Sequence, residues 1–469
     1  MKRKTIKILI VLLILIISSS IIPIEGKKTI LNQNKIKEKT QYTLLIIAPK
    51  QFYKYLTPLV EHKNNHNMKT KLVTLENVYK QTFWEGRDKP EKIKYFIKKA
   101  LEEWNIKYVL LVGGRKNQGY QETWWMPVRY THLERKYGNY NENKFLTDLY
   151  FADIYDKNGN FSSWDDNNNG VFGEWPLDQP ALDIPDLYPD VSVGRLPCRN
   201  IYDVIIGVRK IINYETSECS DSWFKKMLVI GGDTYTKKTE YNDGEVYTQM
   251  GLDRMPSFKP VKLYASDGTL KSWLNVVKEI NNGCGFVFFS GHGGPHLWST
   301  FLPNDSKTSV GTFRLIHIPF LFNINKLPVC VSASGCFNNM FNVSITKSEW
   351  VYYQGIKYNI PRCWGEALTL KPFGGCIAVI ASTAFSYESS DINSEMGGCE
   401  WLDIHFFEEY GLKDIDIIGD IWSNTVTSFL QNFSINWCDN SSDGDALIVK
   451  NCEQWLLLGD PSLKIGGYN

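Results

Sequence analysis

His292 and Cys336 are two side chains whose type and setting could together break an acyl bond. His292 lies in Ser290-Gly-His-Gly-Gly, directly after the apolar run Phe286 to Phe289, and Cys336 lies in Ser334-Gly-Cys-Phe-Asn-Asn, directly after Leu327 to Val331. Each stands on a glycine-bearing turn beyond the C-terminal end of an expected strand, where open α/β sheets place their sites. An imidazole beside a thiol raises the thiolate fraction and can hand a proton to a leaving amine, the minimum for nucleophilic acyl transfer. Gly293 and Gly335 let backbone N–H groups approach a developing oxyanion. The two side chains meet only if the two strands are neighbours. Otherwise one pair drawn from seven histidines and ten cysteines signifies ordinary packing.

A second constellation is Asp165-Asp-Asn-Asn-Asn-Gly-Val-Phe-Gly-Glu. Asp165, Asn167 and Asn169 take the first, third and fifth positions of a calcium loop, Gly170 the bend, and Val171 the position that supplies a carbonyl. An EF-hand ends on Glu at its twelfth position, but Pro176 stands there and Glu174 falls at the tenth. The expectation is a structural calcium loop outside the EF-hand pattern, made by Asp165, Asn167, Asn169, Val171 and Glu174. The alternative is a solvated cluster of Asx turns. His296, four residues after His292, would suit zinc on a helix. Gly293, Gly294 and Pro295 oppose a helix there, and no third ligand follows at a useful distance.

The elements that must position these groups read as α/β. Tyr42 to Ala48 and Tyr108 to Val112 are short apolar runs of the kind found in buried parallel strands, and between them Ile93, Phe96, Ile97, Ala100, Leu101 and Trp104 recur at helical intervals. The βαβ pattern restarts at Met227 to Ile230 and continues through Phe286 to Phe289, Leu327 to Val331 and Ile377 to Ala381. Two consecutive α/β subdomains with mainly parallel sheets flanked by helices are expected, over 27–215 and 216–469. Between Gly119 and Pro189 lies an irregular insertion rich in Trp, Tyr, Asn, Asp and Gly, long enough to suggest a purpose.

Several motifs occur together in one order: Thr147-Asp-Leu-Tyr-Phe-Ala-Asp, Pro189-Asp-Val-Ser-Val-Gly-Arg-Leu-Pro, Gly291-His-Gly, Leu327-Pro-Val-Cys-Val-Ser-Ala-Ser-Gly-Cys, Cys363-Trp-Gly-Glu-Ala-Leu, Ile377-Ala-Val-Ile-Ala-Ser-Thr and Gly459-Asp-Pro-Ser-Leu. From about residue 40 onward the chain resembles the gingipain family of secreted cysteine peptidases, which share the caspase-type fold and use a His-Cys dyad. The histidine also precedes the cysteine by an interval close to the roughly 50 residues of caspases. The resemblance implies that Cys336 is the nucleophile, His292 the general acid/base and Asp233, after Gly231 and Gly232, the acid that orients the histidine. It also implies a substrate pocket near Glu245, Tyr387 and Glu388 that would take a basic side chain.

Composition sets the remaining bounds. Fifty-two basic against fifty-one acidic residues leave no net field for nucleic acid, and no nucleic-acid partner or organic cofactor is expected. Lys2, Arg3, Lys4 and Lys7 precede the aliphatic run Ile8 to Ile17 and three serines, so 1–26 reads as a signal peptide or an uncleaved anchor, with no other membrane segment. Secretion permits disulfides, and Cys438 with Cys452 is the pair to test. Sequons stand at Asn160, Asn304, Asn342, Asn432 and Asn440. The segment Lys27 to Gln41 is too short for a folded inhibitory prodomain, and only seven residues follow Ser462, so neither a prodomain nor a C-terminal anchoring module is expected. The function expected is a secreted cysteine endopeptidase acting on protein or peptide substrates. The rivals are a catalytically silent, calcium-dependent binding module and a transpeptidase using the same dyad.

Overall fold

Parallel strands covered by helices on both faces must be apolar along their whole length, and Leu44-Leu-Ile-Ile-Ala, Tyr108-Val-Leu-Leu-Val and Phe286-Val-Phe-Phe meet that demand, with every residue of all three buried. The structure is a computed structural model and describes residues 41–468 apart from 139, 221, 236–240, 333, 347–358 and 389–396. The expected export segment lies outside the described residues.

In chain order β1 (Leu44–Ala48), α1 (Tyr53–Asn65), β2 (Thr70–Thr74), α2 (Leu75–Gln81), α3 (Lys89–Trp104) and β3 (Tyr108–Val112) come first. The short strands β4 (Arg129–Thr131), β5 (Arg135–Tyr137), β6 (Tyr140–Glu142) and β7 (Phe145–Thr147) follow, then β8 (Ser192–Leu196) and α4 (Ile201–Thr216). The second half runs β9 (Lys226–Gly231), α5 (Asp243–Asp253), β10 (Lys259–Tyr264), α6 (Trp273–Asn282), β11 (Phe286–Phe289), β12 (His292–Gly294), β13 (Leu297–Leu302), β14 (Asp305–Arg314) and β15 (Val329–Ser332). It closes with α7 (Trp364–Thr369), β16 (Ala378–Ser382), α8 (Cys399–Gly411), α9 (Ile418–Asn432), α10 (Gly444–Gln454) and β17 (Trp455–Leu458).

The expected helix is α3. Asp88 caps its first turn by accepting the Glu91 N–H, a contact worth about 1 kcal/mol, and Asn105 ends it in the left-handed conformation at φ +57°. Its buried Ile93, Phe96, Ile97 and Ala100 are among the residues whose spacing predicted it.

One ten-stranded sheet runs through both α/β segments in the order β10-β9-β11-β15-β16-β17-β8-β3-β1-β2. The β16–β17 pairing is antiparallel and the others are parallel. β17, which hydropathy reading did not single out, joins the halves by pairing Leu457 with Ile380 on one side and Leu458 with Arg195 on the other. A second tie is buried charge: Lys63 on α1 reaches Glu215 on α4 at 2.7 Å and Asp460 at 2.8 Å, and His62 meets the same Glu215 at 2.8 Å.

All ten cysteines are free thiols. Cys438 lies exposed in a turn while Cys452 is buried in α10, so the pair weighed for a disulfide is not bonded. Of the sequons, Asn160, Asn304, Asn432 and Asn440 are exposed. Asn342 is buried and donates to the Tyr130 hydroxyl, which leaves its amide out of reach of a glycan.

Candidate active site

Three neighbouring strands deliver the reactive residues to one rim of the sheet. β11 lies between β9 and β15, with Phe289 opposite Ile230 and Val287 opposite Cys330. Asp233 therefore leaves the sheet after β9, His292 after β11 and Cys336 after β15, all at C-terminal ends. The turns touch: a Cβ on Gly293 would lie 2.4 Å from the Gly335 carbonyl carbon and 2.6 Å from the Cys336 oxygen, so only glycine fits there. Cys336 is part-exposed, whereas Cys198, Cys284, Cys330, Cys363, Cys376, Cys399 and Cys452 are buried.

Among the described residues no hydrogen bond joins the imidazole to the thiol. His292 Nε2 lies 2.9 Å from the Thr234 carbonyl oxygen. A carbonyl can only accept, so Nε2 carries the proton and Nδ1 keeps its lone pair. The rings of Phe301 and Tyr235 stand edge-on to the imidazole at 5.4 and 6.0 Å. Burial pushes the His292 pKa down, only partly offset by the Thr234 carbonyl. Cys336 Sγ accepts the Ser386 N–H at 3.3 Å, and burial raises the thiol to about 11. The resting pair is thus a neutral thiol and a neutral imidazole. Among the described residues the Cys336 N–H is uncommitted, while Gly335 has given its N–H to the Ser332 carbonyl.

Asp233 does not reach the histidine. Its carboxylate accepts the Asn304 N–H at 2.7 Å and holds the β13–β14 turn. The next residue, Thr234, orients the imidazole through its carbonyl. Asp243, at the start of α5, accepts the Thr234 N–H at 2.7 Å and so fixes that peptide.

A profile of peptidase family C25 matches residues 37–466. The chain belongs to peptidase family C25. It is 21% identical to gingipain R2 of Porphyromonas gingivalis over 447 residues, covering 92% of this chain and 47% of that protein. It is also 21% identical to gingipain R1 of the same organism, covering 92% and 35%. The chain thus spans under half the length of these curated relatives. The fold is similar to that of the Arg-specific cysteine proteinase gingipain R, with a TM-score of 0.60 at 20% identity over 95% of this chain and 80% of that one. A complex of pro- and mature domains of a P. gingivalis gingipain superposes with a TM-score of 0.59 at 20% identity, over 90% and 79%.

In this C25 chain the acids expected at the pocket divide. Glu245, in the first turn of α5, accepts from the Ser266 N–H at 2.9 Å and hydroxyl at 2.6 Å, which turns it toward the loop after β10. Glu388 has both carboxylate oxygens buried, and burial followed by the neighbouring charges of Asp243 and Glu400 keeps its pKa well above the usual carboxylate range. Glu388 also raises the Cys336 thiol, so the two groups share one local field. Asp403 accepts the Ser334 hydroxyl at 3.1 Å on the turn that carries Cys336. Tyr387 and Glu388 line a cleft of about 370 Å³ with Phe433, Ile448 and Asn451. Tyr137, from the aromatic insertion, stacks on Phe385 at 4.2 Å and approaches Tyr387 at 5.2 Å.

The Asp165 loop is a series of Asx turns. Asp165 accepts the N–H groups of Asn169 and Gly170, each at 3.0 Å, and Asn169 Oδ1 accepts that of Val171 at 2.7 Å. Arg87 pairs with Asp165 at 2.5 Å, and the amides of Asn167 and Asn169 both donate to Glu174. The donor types fit a calcium ion, and Gly170 makes the bend at φ +84°. A bound cation would take the place that Arg87 holds on Asp165.

Sequence reasoning missed Thr234, Asp243 and Ser386. The Asp-Gly pair opening α5 so soon after the Gly-Gly-Asp of β9 was the one available signal for Asp243. A backbone carbonyl such as that of Thr234 leaves none.

Proposed function

We propose that this chain is an exported cysteine endopeptidase that cuts beside basic residues, with Cys336 as nucleophile and His292 as proton carrier. The observation that carries the reading is the seating of both residues on adjoining strand ends with their turns in backbone contact. As Sγ attacks the scissile carbonyl, its proton passes to Nδ1, the open nitrogen of His292. The imidazolium so formed keeps its Nε2–H, hydrogen-bonded to the Thr234 carbonyl, and passes its Nδ1 proton to the departing amine. Water then releases the acyl group. The Cys336 N–H and the glycine backbone at 293 are the groups available to the oxyanion. Apo dyads commonly sit loosely and tighten on substrate.

Preference for a basic side chain is supported by Glu388, a buried carboxyl lining the cleft whose pKa burial and the charges of Asp243 and Glu400 raise, and which a guanidinium or ammonium would stabilise as its anion. It accords with the Arg-specificity of gingipain R. Export rests on the cationic and aliphatic N-terminal sequence. A structural calcium ion on Asp165, Asn167, Asn169, the Val171 carbonyl and Glu174 belongs to the same proposal and enters no chemical step.

The test is a positional peptide-library digest by wild type beside Cys336→Ala, read by mass spectrometry with an amine acceptor present. Cleavage after Arg or Lys by wild type alone supports the proposal. Products joined to the acceptor would make the chain a transpeptidase, and products from both proteins would end the assignment of Cys336.

A further inference from the structure

We propose that Asn338 is a positioning residue: its side-chain amide fastens the histidine hairpin to the nucleophile turn and holds the left-handed backbone beside Cys336. The proposal rests on the cysteine-peptidase reading and adds to it a residue that touches neither the thiol nor the imidazole.

Asn338 is fully buried. Its Nδ2 donates to the carbonyls of Gly294 and Leu297, both at 2.9 Å, and its Oδ1 accepts the Ser332 hydroxyl at 3.1 Å. Gly294 lies two residues beyond His292, Leu297 opens β13, Ser332 ends β15, and Asn338 itself lies two residues beyond Cys336. One side chain thus spends both its N–H groups on the histidine hairpin and its acceptor on the strand that carries the nucleophile.

The turn has need of such a restraint. Phe337, immediately after Cys336, sits at φ +61°, a conformation that a bulky side chain rarely takes. Strain of this kind persists only where surrounding contacts over-determine it. Those contacts are the Phe337 N–H to the Ala384 carbonyl at 2.9 Å, the Asn338 amide, and the Asn339 amide against the carbonyls of Val379, Ala381 and Leu456. The Asn338 oxygen also lies where a Cβ on Gly335 would stand, 2.2 Å away, so the glycine and the asparagine specify each other. Of these residues, Asn338 is the one whose amide reaches the histidine side.

The test compares Asn338→Asp with Asn323→Asp. Asn323 is an equally buried amide at the opposite end of β15 that donates to the Lys326 and Gly375 carbonyls at 3.0 and 2.9 Å. Both substitutions replace two donors by an acceptor, so both should lower the melting temperature. Only Asn338→Asp should lower kcat, by about 100-fold with KM within about threefold, as expected when reacting groups shift by about an ångström. Asn338→Ser, which adds no charge beside the sulfur, should also move the pH midpoint of Cys336 alkylation by iodoacetamide down by about one unit, as the loosened turn admits water to the thiol. A kcat within about threefold of wild type, an unchanged alkylation profile, or an equal loss in Asn323→Asp overturns the proposal. If Asn338→Asp does not fold, Asn338→Ser, which keeps one donor, carries the same prediction at about tenfold. If wild type cleaves no peptide, the peptidase reading fails, while the alkylation profiles still decide whether Asn338 positions the turn.

Discussion

The Thr234 carbonyl oxygen stands 2.9 Å from His292 Nε2 and fixes which nitrogen of the imidazole is free to receive a proton. It contributes no charge of its own, and desolvation of the part-exposed thiol and imidazole then favours their neutral forms at rest.

That state can be measured. With the thiol raised to about 11 by burial, alkylation of Cys336 in the free protein should climb steadily from neutral pH toward about 11. Turnover should nevertheless proceed near neutrality, because the thiol loses its proton to His292 only as it attacks. An alkylation rate that levels off below about pH 8 would mean a pre-formed thiolate and would refute the neutral pair.

The roles of the two neighbouring acids separate by mutation. Asp243→Ala frees the Thr234 peptide and should lower kcat by about ten- to a hundredfold, the kinetic equivalent of one lost charge-assisted hydrogen bond. Asp233→Asn should cost about 1 kcal/mol of stability through the Asn304 turn and leave kcat within about threefold. Steady-state kinetics with denaturant titration of both variants checks the assignment, and the reverse ranking would restore Asp233 to the histidine.

Glu388→Gln removes an acidic side chain from the cleft that Glu388 lines with Tyr387. It should lower kcat/KM for substrates with Arg or Lys next to the cut by about 100-fold and change that for an apolar residue by less than about threefold. Uniform loss across substrates would relocate the basic-side-chain pocket.

Replacing Glu215 by Gln leaves Lys63 buried beside Asp460 alone and should destabilise the fold by about 3–5 kcal/mol. Burial would raise the Glu215 pKa, but Lys63 and His62 outweigh it and hold the group below its ordinary range. Its contribution is therefore complete above the unfolded carboxylate value of about 4.3 and disappears as pH falls through the lower folded value. Urea titrations of wild type and Glu215→Gln should converge in acid and diverge toward neutrality.

Excess calcium should raise the melting temperature, and a chelator should lower it, if the ion displaces Arg87 from Asp165. Arg87→Gln should then strengthen the calcium response. An identical melting temperature in calcium and chelator would leave the loop as Asx turns alone.

His292 and Cys336 could be singled out from the sequence, and their turns do meet at neighbouring strand ends, because each followed a wholly apolar strand and was bracketed by glycine, signals that survive without any tertiary information. What it hid was set by contacts remote in the chain. Asp243 matters through Thr234, a backbone group with no signature of its own. Glu245 and Glu388 are both acids of the right kind, and only the placement of α5 sends Glu245 to Ser266. Asn338 reads as one polar turn residue among several until β13 is seen against it. Cys438 and Cys452 flank a tempting turn, yet one faces water and the other the interior of α10.

The order of synthesis gives β17 a further meaning. Its Leu456 carbonyl receives the Asn339 amide, and the Thr383 N–H beneath the Ser386 segment bonds to the Gln454 carbonyl just before it. A ribosome delivers these residues more than a hundred positions after Cys336, so the nascent chain holds its sulfur long before the seat for it is complete. The contacts around the Cys336 turn can therefore be completed only once the last strand of the sheet has been made.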